Sequence, residues 1–151
     1  MVYLNELPGI TYGKEYYTGV SMTQHNHPYL QAALLCEEVT TDGAGRHDIH
    51  NEFTQYTMGY SQPFTVLTIW RGQSGEEQYQ ERTEIISPDG RVVASGDNGP
   101  FRLMDVTYRQ VNSLLLENVD FTHDGIYELR IQLADKHSDI VSRYTYPISV
   151  I

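Results

Sequence analysis

Residues 122–133 read Thr-His-Asp-Gly-Ile-Tyr-Glu-Leu-Arg-Ile-Gln-Leu, a turn signal that runs directly into a segment of strict period two. One face of that segment carries only large apolar or aromatic side chains, namely Tyr127, Leu129, Ile131 and Leu133. The opposite face carries polar side chains, namely Glu128, Arg130 and Gln132. Because successive side chains of a strand point to opposite faces of its sheet, the pattern predicts a half-buried strand between a core and water.

Tyr127 adds a more specific signal. It enters the strand just after Asp124-Gly125, the place where immunoglobulin-like sandwiches carry a tyrosine corner. In that corner the tyrosine hydroxyl bonds to backbone a few residues upstream. We therefore expect the Tyr127 hydroxyl to be buried and paired with backbone.

Other segments of strand length alternate with turn residues from Tyr29 onward. Six of the seven residues 64–70 are β-branched or aromatic, and apolar side chains fall on both faces, which is typical of a central strand. Residues 30–39 suit either a helix or a buried strand by composition, and we expect a strand. Ser87-Pro88-Asp89-Gly90 predicts a hairpin turn between strands at 81–86 and 91–94.

The remaining elements follow from the same signals. We expect a polar loop at 95–100, strands at 101–108 and 111–121, a turn at 135–139, and a last strand in which Pro147 marks a sheet edge. The absence of a repeating βα pattern favours an all-β fold, an immunoglobulin-like antiparallel β-sandwich of seven or eight strands with an N-terminal extension.

The chain is expected to divide into an N-terminal arm, residues 1–28, and a β-sandwich domain, residues 29–151. The arm holds short pieces between Gly and Pro joints and few charged residues, Glu6, Lys14 and Glu15. Because short extended pieces of this kind can add to a sheet edge or cross to a neighbouring subunit, we expect the arm to pack against a protein surface and to support a homo-oligomer.

Charge and cysteine content narrow the classes of function. With 10 Lys and Arg against 20 Asp and Glu, the formal net charge of −10 argues against nucleic-acid or membrane binding. The one cysteine, Cys36, cannot form an internal disulfide and lies in the apolar run 32–36, so a buried, unreactive thiol is expected. No signal-peptide pattern or transmembrane-length run is present, and we expect a soluble cytoplasmic protein.

Three segments in this order carry a family resemblance: Ala32-Ala33-Leu34-Leu35-Cys36-Glu37, Ser87-Pro88-Asp89-Gly90 and Asp124-Gly125-Ile126-Tyr127. Over residues 28–151 they resemble an uncharacterised bacterial family of small immunoglobulin-like β-sandwich proteins, a domain of unknown function. That resemblance implies the sandwich fold and brings no activity, ligand or catalytic residue with it.

The common nucleophile, phosphate, zinc and calcium motifs are absent, so the sequence predicts no catalytic or cofactor-binding residues. The histidine pairs His25/His27 and His47/His50 are candidate ligands for Zn²⁺ or Ni²⁺. An extended chain would point the first pair the same way and the second pair to opposite faces. We expect surface or turn histidines, no bound metal and no cofactor.

Two further sets of residues have both a functional and a structural interpretation. The acidic pairs Glu37-Glu38 and Glu76-Glu77 could bind a hard cation, but solvated charge at a turn or edge is the commoner meaning. Tyr16, Tyr17, Tyr56 and Tyr60 could form a sugar- or protein-binding face, but tyrosine is also common in strands and cores.

Taken together, the sequence predicts a non-enzymatic binding or assembly module whose specific role it does not name. The expected partner is another protein or a second copy of the chain. The alternative is a ligand-binding domain for carbohydrate or a metal ion.

Overall fold

The computed structural model describes residues 2–4, 28–59, 62–72, 75–105 and 107–151. These residues form ten strands and no helix. The strands are β1 (Val2–Leu4), β2 (Tyr29–Thr41), β3 (His47–Glu52), β4 (Gln55–Tyr56), β5 (Phe64–Arg71), β6 (Tyr79–Ile86), β7 (Val92–Phe101), β8 (Gln110–Leu116), β9 (Gly125–Ala134) and β10 (Ile140–Val150).

The strands build two sheets that pack face to face. Sheet 1 has the order β1-β2-β5-β8, with β3 also paired to β2, and sheet 2 has the order β4-β10-β9-β6-β7. The seven longest strands divide between the two sheets. The first, second and fifth of them in chain order, β2, β5 and β8, lie in sheet 1, while β6, β7, β9 and β10 lie in sheet 2. This division is the immunoglobulin-like arrangement of strands A, B and E against C′, C, F and G.

The predicted all-β, immunoglobulin-like sandwich with an N-terminal extension is therefore confirmed. Residues 30–39 lie within β2 and are strand rather than helix, and the segments at 64–70 and 127–133 lie within β5 and β9. The pairings that join the long strands are antiparallel, while β4 pairs with β10 in parallel over two residues.

The tyrosine corner is present. The Tyr127 hydroxyl donates to the carbonyl of His123 at 3.0 Å and accepts from the His123 amide at 3.3 Å. Tyr127 is fully buried. Since both bonds run to one residue four positions upstream, the hydroxyl fixes the path of the chain as it enters β9.

The core lies between the sheets and has aromatic groups at both ends. At one end Tyr56 and Phe64 pack around Phe121, whose ring meets that of Tyr127 edge to face at 5.0 Å. At the other end Trp70 lies 5.9 Å from the ring of Tyr144. Apolar residues between them, from Leu35 to Ile148, complete a single buried cluster.

The outward faces of the two sheets differ. On sheet 1, Leu34, Cys36 and Leu67 form a second apolar cluster, and each is at most 5% exposed. Cys36 is thus buried, as expected, and burial raises the pKa of its thiol above the ordinary value.

On sheet 2 the corresponding surface is a ladder of charges across three strands. Arg82 on β6 contacts Asp97 on β7 at 3.3 Å and Glu84 at 3.5 Å. Arg130 on β9 then contacts Glu84 at 3.8 Å and Glu128 at 2.7 Å.

The turn at Ser87-Pro88-Asp89-Gly90 forms as predicted. The Ser87 amide donates to the Arg91 carbonyl at 2.8 Å, and Gly90 has a φ of 89°. Hydrogen bonds from the side chains of Ser87 and Arg91 lower the pKa of Asp89 to about 2. The turn at 135–139 also forms, closed by a bond from the Asp135 amide to the Asp139 carbonyl.

The predicted loop at 95–100 is wrong, because those residues continue β7. Asp97 lies opposite Arg82 and Asn98 opposite Glu81, so polar side chains in this segment gain cross-strand partners. Gly96 packs closely on Leu114: a Cβ there would lie 2.7 Å from Cδ1 of that side chain, which would have to move aside. Partners from a distant part of the chain thus override the local turn-like composition.

The predicted strand at 101–108 is also wrong. Only Phe101 belongs to β7, and none of the described residues from 102 to 109 is in a strand. The Asp105 carboxylate accepts from the amides of Thr107 and Tyr108 at 2.7 and 3.1 Å, which closes a local turn. The strand expected at 111–121 ends early, at Leu116, and Asn118 follows with a φ of 56°.

The predicted arm is described only at its start. Val2–Leu4 form β1, which pairs with β2 so that Val2 lies opposite Leu34 and Leu4 opposite Ala32. A short extended piece of the arm therefore adds to a sheet edge of its own chain. The rest of the arm, residues 5–27, lies outside the described residues.

Candidate functional site

The histidines considered as metal ligands are not brought together. The ring of His47 contacts the Thr41 hydroxyl at 2.9 Å, and that of His50 contacts the Thr40 hydroxyl at 3.3 Å. Because Thr40 and Thr41 are successive strand residues, the two rings lie on opposite faces of the sheet. His25 and His27 lie outside the described residues. Within the part of the chain that the structure describes, no group of three or more His, Cys, Asp or Glu could hold a metal ion.

The acidic pair Glu76-Glu77 takes part in surface ion pairs. Glu76 contacts Arg102 at 3.0 Å, and Glu77 contacts Lys136 at 3.5 Å. Tyr56 belongs to the core at 6% exposure and donates its hydroxyl to the Gln62 carbonyl at 2.7 Å. Tyr16, Tyr17 and Tyr60 lie outside the described residues.

Sequence reasoning missed a buried carboxylate, Glu81, which is 1% exposed. One oxygen accepts from the Thr68 hydroxyl and the Trp70 indole N–H, both at 2.5 Å. The other oxygen accepts from the Asn98 side chain at 3.0 Å. The period of two in β6, which buries Tyr79, Glu81, Thr83 and Ile85 on one face, was the signal that could have placed Glu81 inside.

The Glu81 cluster joins the two sheets. Thr68 and Trp70 belong to β5 in sheet 1, whereas Glu81 and Asn98 belong to β6 and β7 in sheet 2. Each oxygen of the carboxylate already has a donor from the protein. The cluster is therefore a structural link inside the sandwich, and its contacts do not point to a ligand.

A different region is exposed and shaped for contact, at the far end of β2. The pairing of β2 with β5 ends at Cys36, but β2 continues to Thr41 in partnership with β3. Residues 37–41 and 47–52 are exposed or half-buried throughout. We refer to these two segments and their connection, residues 37–52, as the ribbon.

The tip of the ribbon is tightly held. The Asp42 carboxylate accepts from the amides of Ala44 and Arg46 at 2.8 and 2.9 Å and forms an ion pair with the Arg46 guanidinium at 2.6 Å. These bonds, led by the one from the Arg46 amide, lower the pKa of Asp42 below its ordinary value. The ribbon is therefore preorganised, since its turn is fixed by several bonds to one side chain.

Two concavities lie against the base of the ribbon, and Glu37 lines both. A cleft of about 140 Å³ is lined by aromatic and amide groups: Glu37, Phe53, Gln55, Tyr56, Thr57, Gln62, Pro63 and Phe64. A wider groove of about 500 Å³ is lined by Glu37, Glu38, Val39, Thr65, Ser113 and Leu115. Because Phe64 and Thr65 are successive residues of β5, the cleft and the groove open on opposite faces of sheet 1.

Fold and site together define an immunoglobulin-like β-sandwich with a protruding two-stranded ribbon. No protein-family model and no curated protein matches the chain. Among solved structures, the chain is similar to the crystal structure of a CARDB domain from Pyrococcus furiosus in complex with di-metal ions. The TM-score is 0.41 and the identity 14%, over 85% of this chain and 97% of that one. At those values the likeness carries no inference about ligands or function.

No helix among the described residues is long and apolar enough to cross a membrane.

Proposed function

We propose that this protein is a non-enzymatic binding or assembly module of a bacterial cytoplasm, and that it contacts other protein through its ribbon. The observation that carries the proposal is that β2 runs on past the end of β5 and presents strand backbone beyond the sandwich. Strand edges of this kind are templates for pairing with another chain.

The surface chemistry of the ribbon supports the same proposal. Val39 and Ile49 lie directly opposite each other, and Ile49 is 42% exposed. Glu37 and Glu38 line the same groove as Val39, and the exposed Asp48 precedes Ile49 in β3. An apolar centre with a polar surround is the usual composition of a protein contact, and the fixed tip reduces the entropy lost on binding.

A crosslinking experiment in the cell that naturally makes this protein tests the proposal. A photo-reactive amino acid at Ile49 should give a discrete crosslinked protein, identified by mass spectrometry and confirmed by crosslinking from the partner's side. The same replacement at Ile126, an isoleucine that is 61% exposed on sheet 2, is the matched control and should give none. Crosslinking from neither position, or equally from both, would overturn a role for the ribbon.

Self-association through the N-terminal arm belongs to the same proposal. Since β1 adds to the edge of β2, the same pairing between two copies would exchange an identical element between subunits. Removal of residues 1–26 should then lower the oligomeric state measured by light scattering while leaving the sandwich folded. A full-length protein that is monomeric at all concentrations would remove this part of the proposal.

The aromatic cleft favours carbohydrate as a second candidate ligand. Phe53, Tyr56 and Phe64 contribute rings to its lining, of which Tyr56 and Phe64 are only 6% and 1% exposed, and Glu37 and Gln62 contribute polar groups. At about 140 Å³ the cleft is below the usual range for small-molecule sites, which begins at about 300 Å³. Saturation-transfer NMR with methyl glycosides tests this candidate, which fails if no sugar signal is transferred or if Phe53→Ala leaves the transfer unchanged.

A further inference from the structure

One side of the ribbon is an open strand edge. On the side away from β3, the last pairing of β2 is Cys36 with Thr65. The Leu35 carbonyl accepts from the Phe53 amide and therefore points toward β3. Because the backbone groups of successive strand residues point to alternate sides, the carbonyls of Glu38 and Thr40 and the N–H of Thr40 point away from β3. Among the described residues, no strand pairs with β2 on that side beyond Cys36.

The open edge has a recess on each face of its sheet. The aromatic cleft lies on the side of Phe64, and the wider groove lies on the side of Thr65. An added strand sends successive side chains to opposite faces. One of its residues would therefore enter the cleft while its neighbour entered the groove, which is how strand addition obtains specificity from alternate side chains.

The charge along the open edge of β2 indicates which kind of side chain the added strand should carry. Glu37 lines both recesses, and Glu38 lines the groove. Glu37 accepts a hydrogen bond from the Asn51 side chain at 2.7 Å, and within the described residues neither carboxylate forms an ion pair with Lys or Arg. A cationic side chain in the added strand would complement them.

We propose that the open edge of β2 at residues 37–41 binds an extended peptide segment of another protein, in which apolar residues alternate with Lys or Arg. The segment pairs with the backbone of Glu38 and Thr40, places an apolar side chain in the cleft and brings a cation to Glu37 and Glu38. This inference rests on the proposed function and names the chemistry of the partner.

A second copy of the chain fits the same edge less well. Edge-to-edge pairing of two ribbons would bring the Glu37 and Glu38 carboxylates of both copies into one sheet. Like charges in neighbouring strands are destabilising, and each copy carries a net charge of −10. The occupant that the charges favour is therefore basic.

The test uses a fluorescein-labelled synthetic peptide, Ser-Lys-Val-Lys-Leu-Lys-Val-Lys-Ser, and the full chain, with binding followed by fluorescence anisotropy at physiological ionic strength. Two matched peptides serve as controls. One has Glu in place of Lys, and the other has N-methyl groups on alternate residues so that it keeps its charge but cannot pair along the edge. The Lys peptide should bind at least about tenfold more tightly than either control.

Two variants of the protein separate backbone pairing from general attraction to an acidic chain. Thr40→Pro removes both the N–H on the open edge and the hydroxyl that contacts His50, whereas Thr40→Val removes only the hydroxyl and keeps the N–H. The first should weaken binding about tenfold and the second less than about twofold. Asp48→Asn, on β3, should weaken binding less than Glu38→Gln.

Equal binding of the N-methylated peptide, equal binding by Thr40→Pro, or no binding of the Lys peptide would overturn the inference. A dimer of the chain alone that Thr40→Pro dissociates in sedimentation velocity would replace the basic peptide with a second copy. If the Lys peptide fails while Ile49 still crosslinks to a protein in the cell, the proposed function stands and only this site falls.

Discussion

Strands β5 and β9 both run through the interior of their sheets, yet their outward faces have opposite character. The outward residues of β5 are Thr65, Leu67 and Ile69, while those of β9 include Glu128, Arg130 and Gln132. The sequence of β9 alternates, and its polar face carries part of the charge ladder. The sequence of β5 does not alternate, and both of its faces are packed. A strand whose sequence alternates therefore packs one face against apolar groups, whereas an apolar strand without alternation packs both.

The largest expected effect comes from placing a charge on the outward face of β5. Leu67→Asp should lower the free energy of unfolding by about 4 kcal/mol, because Leu67 is 2% exposed and a carboxylate there would be buried without a partner. Urea denaturation measures the change. Leu115→Asp, on the same face but at a 54% exposed position, should cost less than about 1 kcal/mol. Equal costs would mean that the outward face of sheet 1 is open to water.

The inward face of β5 supplies the next test. Glu81→Ala should cost about 3 kcal/mol, because it leaves the donors on Thr68, Trp70 and Asn98 without their acceptor. The control is Glu77→Ala, which removes an exposed carboxylate and should cost less than about 1 kcal/mol. If the two variants unfold at the same urea concentration, the buried link between the sheets contributes nothing.

The inward face of β9 is tested through the tyrosine corner. Tyr127→Phe should cost about 1–3 kcal/mol, since the backbone groups of His123 lose a buried partner. Tyr108→Phe, at a residue that is 43% exposed, should leave stability nearly unchanged. Unchanged stability in both variants would contradict a stabilising corner.

A substitution on the outward face of β9 should have a small, salt-dependent effect on stability. Arg130→Gln removes contacts to Glu84 and Glu128, and partly exposed ion pairs of this kind contribute at most about 1 kcal/mol. The difference from wild type should shrink further at 1 M salt. A loss as large as that of Leu67→Asp would erase the contrast between the two outward faces.

Treatment with a metal chelator is expected to have no effect on the stability of the protein. A chelator should leave the melting temperature unchanged, because we assign the histidines to the surface and to turns. A fall of several degrees that Zn²⁺ or Ni²⁺ reverses would make a metal part of the folded protein and would direct attention to His25 and His27.

The contrast between β5 and β9 also explains what the sequence could reveal. Local patterns predicted β5, β9 and the turn at Ser87–Gly90, because period, β-branching and turn chemistry are encoded in neighbouring residues. The extension of β7 through Gly96 was missed because its causes, Leu114 and Glu81, lie far away in the chain.

The candidate site was even less accessible to sequence reasoning. The sequence of Glu37-Glu38 suggests solvated charge at an edge, but the recesses beside the pair are formed by residues from four strands and two connections. Nor could the pattern of β2 show that its pairing with β5 ends at Cys36 while β2 continues to Thr41. Such information resides in sheet register, which a single strand does not carry.

The close contact between Gly96 and Leu114 has a consequence for polymerisation. It brings the last strand of sheet 2, β7, against the last strand of sheet 1, β8, so these two edges shield each other. A bulky side chain at position 96 would have to displace the Leu114 side chain, and separation of the two strands would uncover the edge of β7 in addition to that of the ribbon. A molecule with two pairing edges can join head to tail without closing, and chains of that kind grow into fibres.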